Sequence, residues 1–187
     1  MRTHKTEGII IKRRNYGEAD RILTVFTKYN GKIQVKATGI RRIPSRRSAH
    51  VELLNYSVLN LYKGNNMPIL TEAQVINNFS EIKDDFQKIG EAYHLCELID
   101  GLCPENQENT KVFYLLKNIF KNLSDEIYEN IQVSKIIREF ELELLTTLGY
   151  LSLDKAEMLI DNVNTQSFIE NILERKLKSR NIFAKLQ

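Results

Sequence analysis

The spacing of apolar residues changes near Ser80, and the change separates two kinds of secondary structure. Before Ser80, apolar and polar residues alternate, as they do over residues 32–38, and a period of two is typical of a strand with one buried face. After Ser80, apolar residues recur every three or four positions, as over residues 112–123, which is typical of an amphipathic helix. The chain is therefore predicted to be an α+β protein, with a β domain over residues 1–79 and an all-α domain over residues 80–187.

Five strand-like segments with short connections make up the first part of the chain. Asn30-Gly31 lies between the second and the third segment, and this pair is a strong hairpin signal because both residues tolerate positive φ. Five short strands cannot bury two faces as an open sheet, so we expect them to close into a five-stranded barrel of the oligonucleotide-binding (OB) type. The predicted strands cover residues 7–15, 21–28, 32–38, 51–62 and 69–77.

A short basic segment, residues 39–48, follows the hairpin and is called the basic loop below. It contains Pro44, which cannot donate to a strand ladder and so favours a loop. A guanidinium stays charged at any biological pH and is costly to bury without a partner. Its planar donors suit a phosphate, so nucleic acid is the first hypothesis for this loop, and a solvated surface loop is the alternative. The arginines of the loop are Arg41, Arg42, Arg46 and Arg47.

The net charge of +3 is the sum of two oppositely charged parts. Residues 1–80 contain fourteen Lys or Arg and five Asp or Glu, a net charge of +9. Residues 81–187 contain thirteen and nineteen, a net charge of −6. An asymmetry of this size is typical of a basic binding module joined to a second module that has other partners.

The cysteine content and the N-terminal sequence indicate the cellular compartment in which the protein is expected to reside. Cys96 and Cys103 show no disulfide pattern, which favours a reducing environment. The polar residues 1–7 lead into a strand rather than into the apolar region of a signal peptide, and no apolar run is long enough to span a bilayer. We therefore expect a cytoplasmic protein that does not contact a membrane.

Several sequence boxes occur together, in order and at consistent spacing, over residues 1–80. They resemble the N-terminal OB domain of the bacterial DNA repair and recombination family RecO. A further box in the helical part, Thr147-Leu148-Gly149-Tyr150, resembles one near the end of the third long helix of the same family. The boxes in the first part are Glu7-Gly8-Ile9-Ile10, Tyr16-Gly17-Glu18-Ala19-Asp20-Arg21 with the following strand Ile22-Leu23-Thr24-Val25-Phe26-Thr27, Gly31-Lys32, Ala37-Thr38-Gly39-Ile40-Arg41-Arg42, Ser45-Arg46 and Leu61-Tyr62-Lys63-Gly64.

The resemblance implies a DNA-binding recombination mediator associated with the nucleoid. Such a protein binds single- and double-stranded DNA, anneals complementary strands and, with RecR, helps RecA replace the single-strand-binding protein SSB. The resemblance also implies that the acidic C-terminal tail of SSB docks on the helical domain, where Lys111, Lys117 or Lys121 are candidate cations, unless they only form the solvated face of their helix. We expect a monomer in the absence of partners. The alternative is a protein-interaction adaptor whose barrel no longer binds DNA strongly.

An OB barrel holds single-stranded nucleic acid across one face, with cations on the phosphates and aromatic rings on the bases. Tyr16 and Tyr29 are candidates for stacking, although packing in the barrel or a turn is the commoner role of such tyrosines. Regular alternation would put Arg13 on the core side of its strand, so we expect a strand end or a β-bulge near residues 12–14. The candidate phosphate ligands are Lys12, Arg13, Arg14, Lys32, Lys36, Arg41, Arg42, Arg46 and Arg47.

Three longer helices and two shorter ones are predicted in the second part of the chain. The longer ones cover residues 86–102, 112–123 and 136–148. The third follows a candidate N-cap, Ser134, and stops at Gly149, which suits the left-handed position after a helix. The shorter helices open at two capping boxes, Asp154-Lys155-Ala156-Glu157 and Ser167-Phe168-Ile169-Glu170.

No metal site and no catalytic site are expected. Many members of the RecO family carry two Cys-x-x-Cys pairs after the Thr-Leu-Gly-Tyr box and hold a structural zinc there, whereas this sequence has no cysteine after Tyr150. His94, Cys96 and Cys103 fall on a predicted helix whose apolar stripe explains both cysteines, so we expect core packing rather than metal binding. The sequence shows no phosphate-binding glycine loop and no nucleophile with a nearby base, so it predicts neither a cofactor nor an enzyme.

Overall fold

The computed structural model describes residues 3–42, 45–63, 66–125, 130–152 and 165–183. The chain divides into two compact units. The first comprises Met1–Phe79 and Pro104–Phe113, and the second comprises Ser80–Cys103 and Tyr114–Gln187. The first unit thus includes a short segment that a single division after residue 79 would assign to the helical part.

The strands of the first unit are β1 (Thr3–Tyr16), β2 (Asp20–Thr27), β3 (Gly31–Ala37), β4 (Tyr56–Tyr62) and β5 (Ile69–Asn77). They form a closed barrel in the order β1-β2-β3-β5-β4, which confirms the predicted five-stranded fold. Neighbouring strands are antiparallel except β3 and β5, which pair in parallel where Lys36 faces Ile69. Each strand contributes apolar side chains to the barrel interior, among them Ile10, Leu23, Val35, Leu59 and Leu70.

A β-bulge in β1 directs its basic residues outward. The pairing of β1 with β2 shifts in register between Ile10 and Lys12, which leaves Ile11 as the extra residue. Ile10 and Ile11 are both buried, whereas Lys12 and Arg14 are exposed. The irregularity that the sequence predicts near residues 12–14 is therefore a bulge immediately before Lys12.

The fourth strand is shorter than predicted because residues 51–55 do not continue it. Ser48–Val51 is a turn of 3-10 helix, and Leu54 has a φ of 71°, which an extended strand cannot contain. The Leu54 N–H donates to the Ile10 carbonyl at 2.9 Å, and the Ile10 N–H donates to the Asn55 carbonyl at 3.0 Å. Leu54 and Asn55 therefore form backbone hydrogen bonds with β1 at its bulge.

Residues 104–113 contact the turn end of the β2–β3 hairpin. The Asn106 N–H donates to the Lys32 carbonyl at 2.8 Å, and the Thr110 hydroxyl donates to the Lys28 carbonyl at 3.3 Å. These bonds satisfy backbone carbonyls of the hairpin, and they explain why this polar segment belongs to the barrel unit.

The described residues contain six α-helices, and the three longer predicted helices are all present. Asp85 caps the second helix by accepting the N–H groups of Gln87 and Lys88. Gly149, with a φ of 80°, follows the fourth helix as expected. Within the described part of the chain, no helix is long and apolar enough to cross a membrane. The helices are α1 (Ser80–Asp84), α2 (Phe86–Leu102), α3 (Thr110–Ser124), α4 (Asn130–Thr147), α5 (Thr165–Leu173) and α6 (Lys178–Phe183).

Two helices begin before the N-cap that the sequence predicted for them. α4 begins at Asn130, so Ser134 lies inside the helix rather than at its N-cap. Val133 is buried and extends the apolar stripe by one turn, which favours the longer helix. α5 begins at Thr165, so Ser167 also lies inside its helix. The capping box predicted at Asp154 falls outside the described residues.

A buried polar network, which the sequence did not predict, joins helices of the second unit. His94 of α2 is fully buried, and its Nε2 lies 2.6 Å from the carboxylate of Glu141 on α4. Its Nδ1 lies 3.3 Å from the hydroxyl of Ser179 on α6. A buried polar group needs such partners, because leaving one unpaired costs about 1–3 kcal/mol. Among the described residues, no cluster of His, Cys, Asp and Glu is suited to a metal ion.

Glu97 of α2 caps the N-terminus of α6. Its carboxylate accepts the N–H groups of Lys178 at 3.0 Å and Ser179 at 2.9 Å, and it forms an ion pair with Arg175. Burial by itself raises the pKa of Glu97, but the hydrogen bonds from Arg175, Ser179 and Lys178 outweigh burial and lower the pKa to about 2.

Acid is expected to destabilise the second unit through Glu97. The folded-state pKa of about 2 lies below that of an unfolded glutamate, so the stabilisation is present above about pH 4.5 and is lost as the pH falls towards 2. Urea unfolding of the whole chain should show this loss as about 1–2 kcal/mol, less than the pKa shift alone corresponds to because solvent screens the ion pair.

The variants Glu97→Gln and Glu143→Gln test this prediction. Glu97→Gln should be less stable at pH 7 and should lack this part of the acid dependence. Glu143 is an exposed residue of α4, so Glu143→Gln should keep the wild-type profile. Identical profiles for the two variants would contradict the assignment to Glu97.

Candidate nucleic-acid interface

Cations of β1 and β3 lie on one outer face of the barrel. Lys12 and Arg14 of β1 are exposed, whereas Lys36 of β3 is half-buried and forms an ion pair with Asp20 at 3.2 Å. Arg14 pairs across strands with Ile22, and Ile22 pairs in turn with Lys36. Residues paired in this way project to the same side of a sheet, so the side chains of Arg14 and Lys36 flank Ile22. The surface is called the β1–β3 face below, and it comprises Lys12, Arg14, Tyr16, Lys36, Arg41 and Arg42.

Tyr16 supplies an exposed aromatic ring to the β1–β3 face. Its relative accessibility is 47%, and the Lys36 ammonium lies 5.2 Å from its ring centroid. A cation in this position stabilises the ring orientation, while the exposed part of the ring remains accessible to a base. Tyr29 is also exposed, but it follows the opposite end of β2, away from Tyr16.

The first half of the basic loop is attached to the β1–β2 turn. The Gly39 N–H donates to the Asp20 carboxylate at 2.8 Å, and the Arg41 N–H donates to the Ala19 carbonyl at 2.9 Å. The hydrogen bond from Gly39 is the largest cause that lowers the pKa of Asp20. Asp20 therefore remains an ionised acceptor that holds the loop beside the β1–β3 face.

Arg41 and Arg42 are both exposed at this attachment. Gly39 has a φ of 65°, and the turn it forms lets the Arg42 N–H donate to the Gly39 carbonyl at 3.2 Å. The Arg42 side chain lies over Gly39, since a Cβ there would be 3.7 Å from Arg42 Cδ. The Arg41 guanidinium lies 3.4 Å from the Gly17 carbonyl. The loop geometry thus places two arginines beside the β1–β2 turn, which follows Tyr16 in the chain.

Arg47 attaches the second half of the basic loop to the barrel through backbone carbonyls. Its guanidinium donates to the Leu70 and Thr38 carbonyls, each at 2.8 Å, and lies 3.4 Å from the Thr71 carbonyl. These bonds attach the loop to β5 and use three of the five guanidinium N–H groups. The four loop arginines therefore do not form the single group that their spacing suggested.

Lys32 is the predicted phosphate ligand whose placement differs most from expectation. Its relative accessibility is 7%, because the segment containing Glu105 runs beside it and forms a backbone bridge with it. Lys12 and Arg46, in contrast, are exposed. Because so little of this residue is accessible, we do not count Lys32 as part of the β1–β3 face.

Arg13 points away from Arg14 and is paired within the protein. It forms an ion pair with Glu52, and the Arg21 guanidinium lies 3.5 Å from the same carboxylate. Arg14, in contrast, makes no hydrogen bond or ion pair with any residue that the structure describes. Two adjacent arginines of β1 thus differ in their availability to an external anion.

A closed OB barrel with a basic outer face, followed by a helical unit, defines a two-part architecture. The sequence model for the N-terminal domain of recombination protein O matches residues 1–79. The model for the C-terminal domain of the same protein matches residues 83–154. The chain therefore belongs to the recombination protein O (RecO) family, as the sequence boxes predicted.

Known proteins similar to this chain include three named DNA repair protein RecO. The protein of Roseiflexus sp. is 36% identical over 80% of this chain and 51% of its own length. Those of Acetivibrio thermocellus and Alkaliphilus metalliredigens are 39% and 34% identical, each over 78% of this chain and over 57% and 58% of their own lengths. The chain thus spans about half the length of the curated relatives it matches, and those relatives are named as DNA repair proteins.

Proposed function

We propose that this protein acts in recombinational DNA repair and that its β1–β3 face binds a single DNA strand. The observation that carries the proposal is the exposed ring of Tyr16 among the cations of this face. OB barrels bind single strands with this combination of aromatic and basic residues. The names of the relatives, DNA repair protein RecO, support the repair role.

The β1–β3 face would contact the strand mainly through its phosphates. Arg14, Lys36, Arg41 and Arg42 would bind the backbone, and Tyr16 would stack on a base. Contacts to phosphates carry no sequence information, so binding is expected to be independent of sequence. Base edges that are not held by the protein stay available for pairing, which suits the annealing of complementary strands. The same backbone contacts would permit binding of double-stranded DNA.

A recombination mediator must bind other proteins as well as DNA. We propose that this protein binds RecR and SSB in the cytoplasm and that it helps to load RecA onto the DNA there. A cavity of about 220 Å³ in the second unit combines apolar residues with cations. Phe86 and Val133 supply apolar surface, and Lys88 and Arg180 supply positive charge, although Arg180 is already paired with Glu91 of the same cavity at 2.8 Å. An acidic tail with apolar residues would fit such a cavity. Lys111, Lys117 and Lys121, the candidates from the sequence, are not among the residues that line it.

Titration of a fluorescent oligo(dT) strand at several salt concentrations tests the DNA-binding proposal. If Arg14, Lys36, Arg41 and Arg42 each neutralise one phosphate, the logarithm of affinity should fall against the logarithm of salt with a slope of about −3. Absence of binding at low salt, or a slope near zero, would exclude the mediator. Such a result would favour the alternative function, a protein-interaction adaptor that binds its partners through the helical unit alone.

A further inference from the structure

The barrel has a second basic surface besides the β1–β3 face. It is a cavity on the outer face formed by β1, β4 and β5. Its volume is about 410 Å³. Arg46 and Arg47 of the basic loop line it together with His50, Lys5 of β1 and Glu72 of β5. None of the residues that define the β1–β3 face lines this cavity, so the two surfaces share no side chain.

The strand register explains how the cavity acquires its charges. Lys5 faces Asn60 across β1 and β4, and Asn60 faces Glu72 across β4 and β5, so the three side chains form one row. The Glu72 carboxylate accepts a hydrogen bond from the Asn60 amide at 2.6 Å. Three cations and one carboxylate leave the cavity with a net charge of +2 before His50 is counted.

The cations of this cavity differ in their availability. Arg47 is oriented by the backbone carbonyls of Leu70 and Thr38, so it contributes a fixed positive charge and retains two of its five N–H groups. Lys5 and Arg46 are exposed, and neither side chain bonds to any residue in the part of the chain that the structure describes. Two unpaired cations thus stand beside an arginine whose position is fixed.

His50 adds a directed donor to the same cavity. Its Nδ1 accepts the N–H of Val75 at 3.3 Å, which leaves the proton of the neutral ring on Nε2. The ring is only partly exposed and is held in place by that bond. Lysine, arginine and an imidazole N–H are together suited to the oxygens of a phosphodiester.

We propose that this cavity is a second phosphate-binding site, which holds the backbone of a second nucleic-acid strand while the β1–β3 face holds the first. The inference rests on the proposed function of the β1–β3 face. It assigns different tasks to the two halves of the basic loop: Arg41 and Arg42 contact the first strand, and Arg46 contacts the second. Holding two strands by their backbones leaves the bases of both available to pair.

The number of strands bound per protein tests the second site. The probe is a labelled oligo(dT) of on the order of six nucleotides, within the range that one OB barrel covers. The wild-type chain should bind two oligonucleotides. The variants Lys5→Gln/Arg46→Gln and Arg14→Gln/Arg42→Gln should each bind one, and the variant with all four changes should bind none. Arg47 is left unchanged because its loss would release the loop from β5.

The outcomes separate this inference from the function on which it rests. One bound strand in both the wild type and Lys5→Gln/Arg46→Gln would overturn the second site and leave the first intact. One bound strand in the wild type, with weaker binding in both double variants, would show a single strand crossing both surfaces and would also overturn it. Absence of binding to the wild type would reject the DNA-binding function itself.

Inorganic phosphate provides a separate test of the ligand. Phosphate should shift the NMR signals of the His50 ring in the wild type, and oligo(dT) should compete with it. A phosphate-dependent shift that oligo(dT) does not reverse would assign the cavity to a free anion and would overturn the assignment to nucleic acid. The Lys5→Gln/Arg46→Gln variant should show a markedly smaller shift.

Discussion

Replacing Gly31 with alanine should destabilise the barrel unit by about 3 kcal/mol or more. Gly31 has a φ of 63°, and a Cβ there would lie 1.8 Å from the carbonyl oxygen of Gln107. The clash is with backbone, so relief requires residues 104–113 to move away from the β2–β3 hairpin. Strain at positive φ adds about 1–2 kcal/mol, and a total of this size is unusual for a single substitution. Urea unfolding of the two proteins measures the difference.

Gly17→Ala is the matched control for this substitution. Gly17 also has a positive φ, 57°, but a Cβ there would meet no atom within 4 Å. Gly17→Ala should therefore cost only the strain, about 1 kcal/mol. Equal losses of stability in the two variants would show that residues 104–113 do not pack against Gly31 as they do in the structure.

Neutralising Arg14 and Arg42 together should weaken single-strand binding by about 30-fold. Both side chains belong to the β1–β3 face and are exposed, and each is expected to contribute one charged contact to a phosphate. Two contacts of about 1 kcal/mol each correspond to a factor of this size. Fluorescence anisotropy of labelled oligo(dT) at a fixed low salt concentration would measure the affinities with and without Arg14→Gln/Arg42→Gln, both in the Lys5→Gln/Arg46→Gln background, which removes the second proposed site.

Arg13→Gln/Arg21→Gln removes the same net charge and serves as the control. Both arginines interact with Glu52, and an exposed ion pair contributes only about 0–1 kcal/mol to stability. This variant should fold normally and lose less than about threefold in affinity, because only the long-range field is weakened. Equal losses in the two double variants would mean that net charge, rather than the β1–β3 face, determines binding.

The sequence was sufficient to predict the barrel because its signals are local. The Asn30-Gly31 pair predicted a hairpin, and β2 and β3 meet at that turn. The conflict between Arg13 and regular alternation predicted an irregularity in β1, and the bulge lies immediately before Lys12. In each case, neighbours along the chain carry the information.

The placement of the predicted site residues depended on contacts between distant parts of the chain. Lys32 is buried because residues 104–113 return to the hairpin. Arg47 is tied to Thr38 and Leu70, although nothing in its immediate sequence distinguishes it from Arg46. Such differences follow from tertiary packing, which charge and spacing alone do not reveal.

One signal of the buried network in the second unit was present in the sequence. Glu141 interrupts an apolar stretch of α4, between Phe140 and Leu142, and a carboxylate there requires a buried partner. That partner is His94, which is distant along the chain, so the sequence could indicate the need for a partner but could not identify it.

The Tyr-Gly-Glu-x-Asp-Arg box that pointed to the RecO family has a structural role in the proposed interface. Its tyrosine, Tyr16, provides the exposed ring, and its aspartate, Asp20, accepts the N–H of Gly39. The box therefore supplies both an aromatic contact and the attachment of the basic loop. The β1–β2 turn and the basic loop, which is distant from it along the chain, thus form one surface.

The change in salt dependence produced by Arg14→Gln/Arg42→Gln tests the β1–β3 face most directly. Each lost phosphate contact on a single strand should reduce the slope of log affinity against log salt by about 0.7. The account predicts a slope that is less steep by about 1.4 in Arg14→Gln/Arg42→Gln and close to the wild-type value in Arg13→Gln/Arg21→Gln. A wild-type slope in Arg14→Gln/Arg42→Gln would contradict it, because those two arginines would then contact no phosphate.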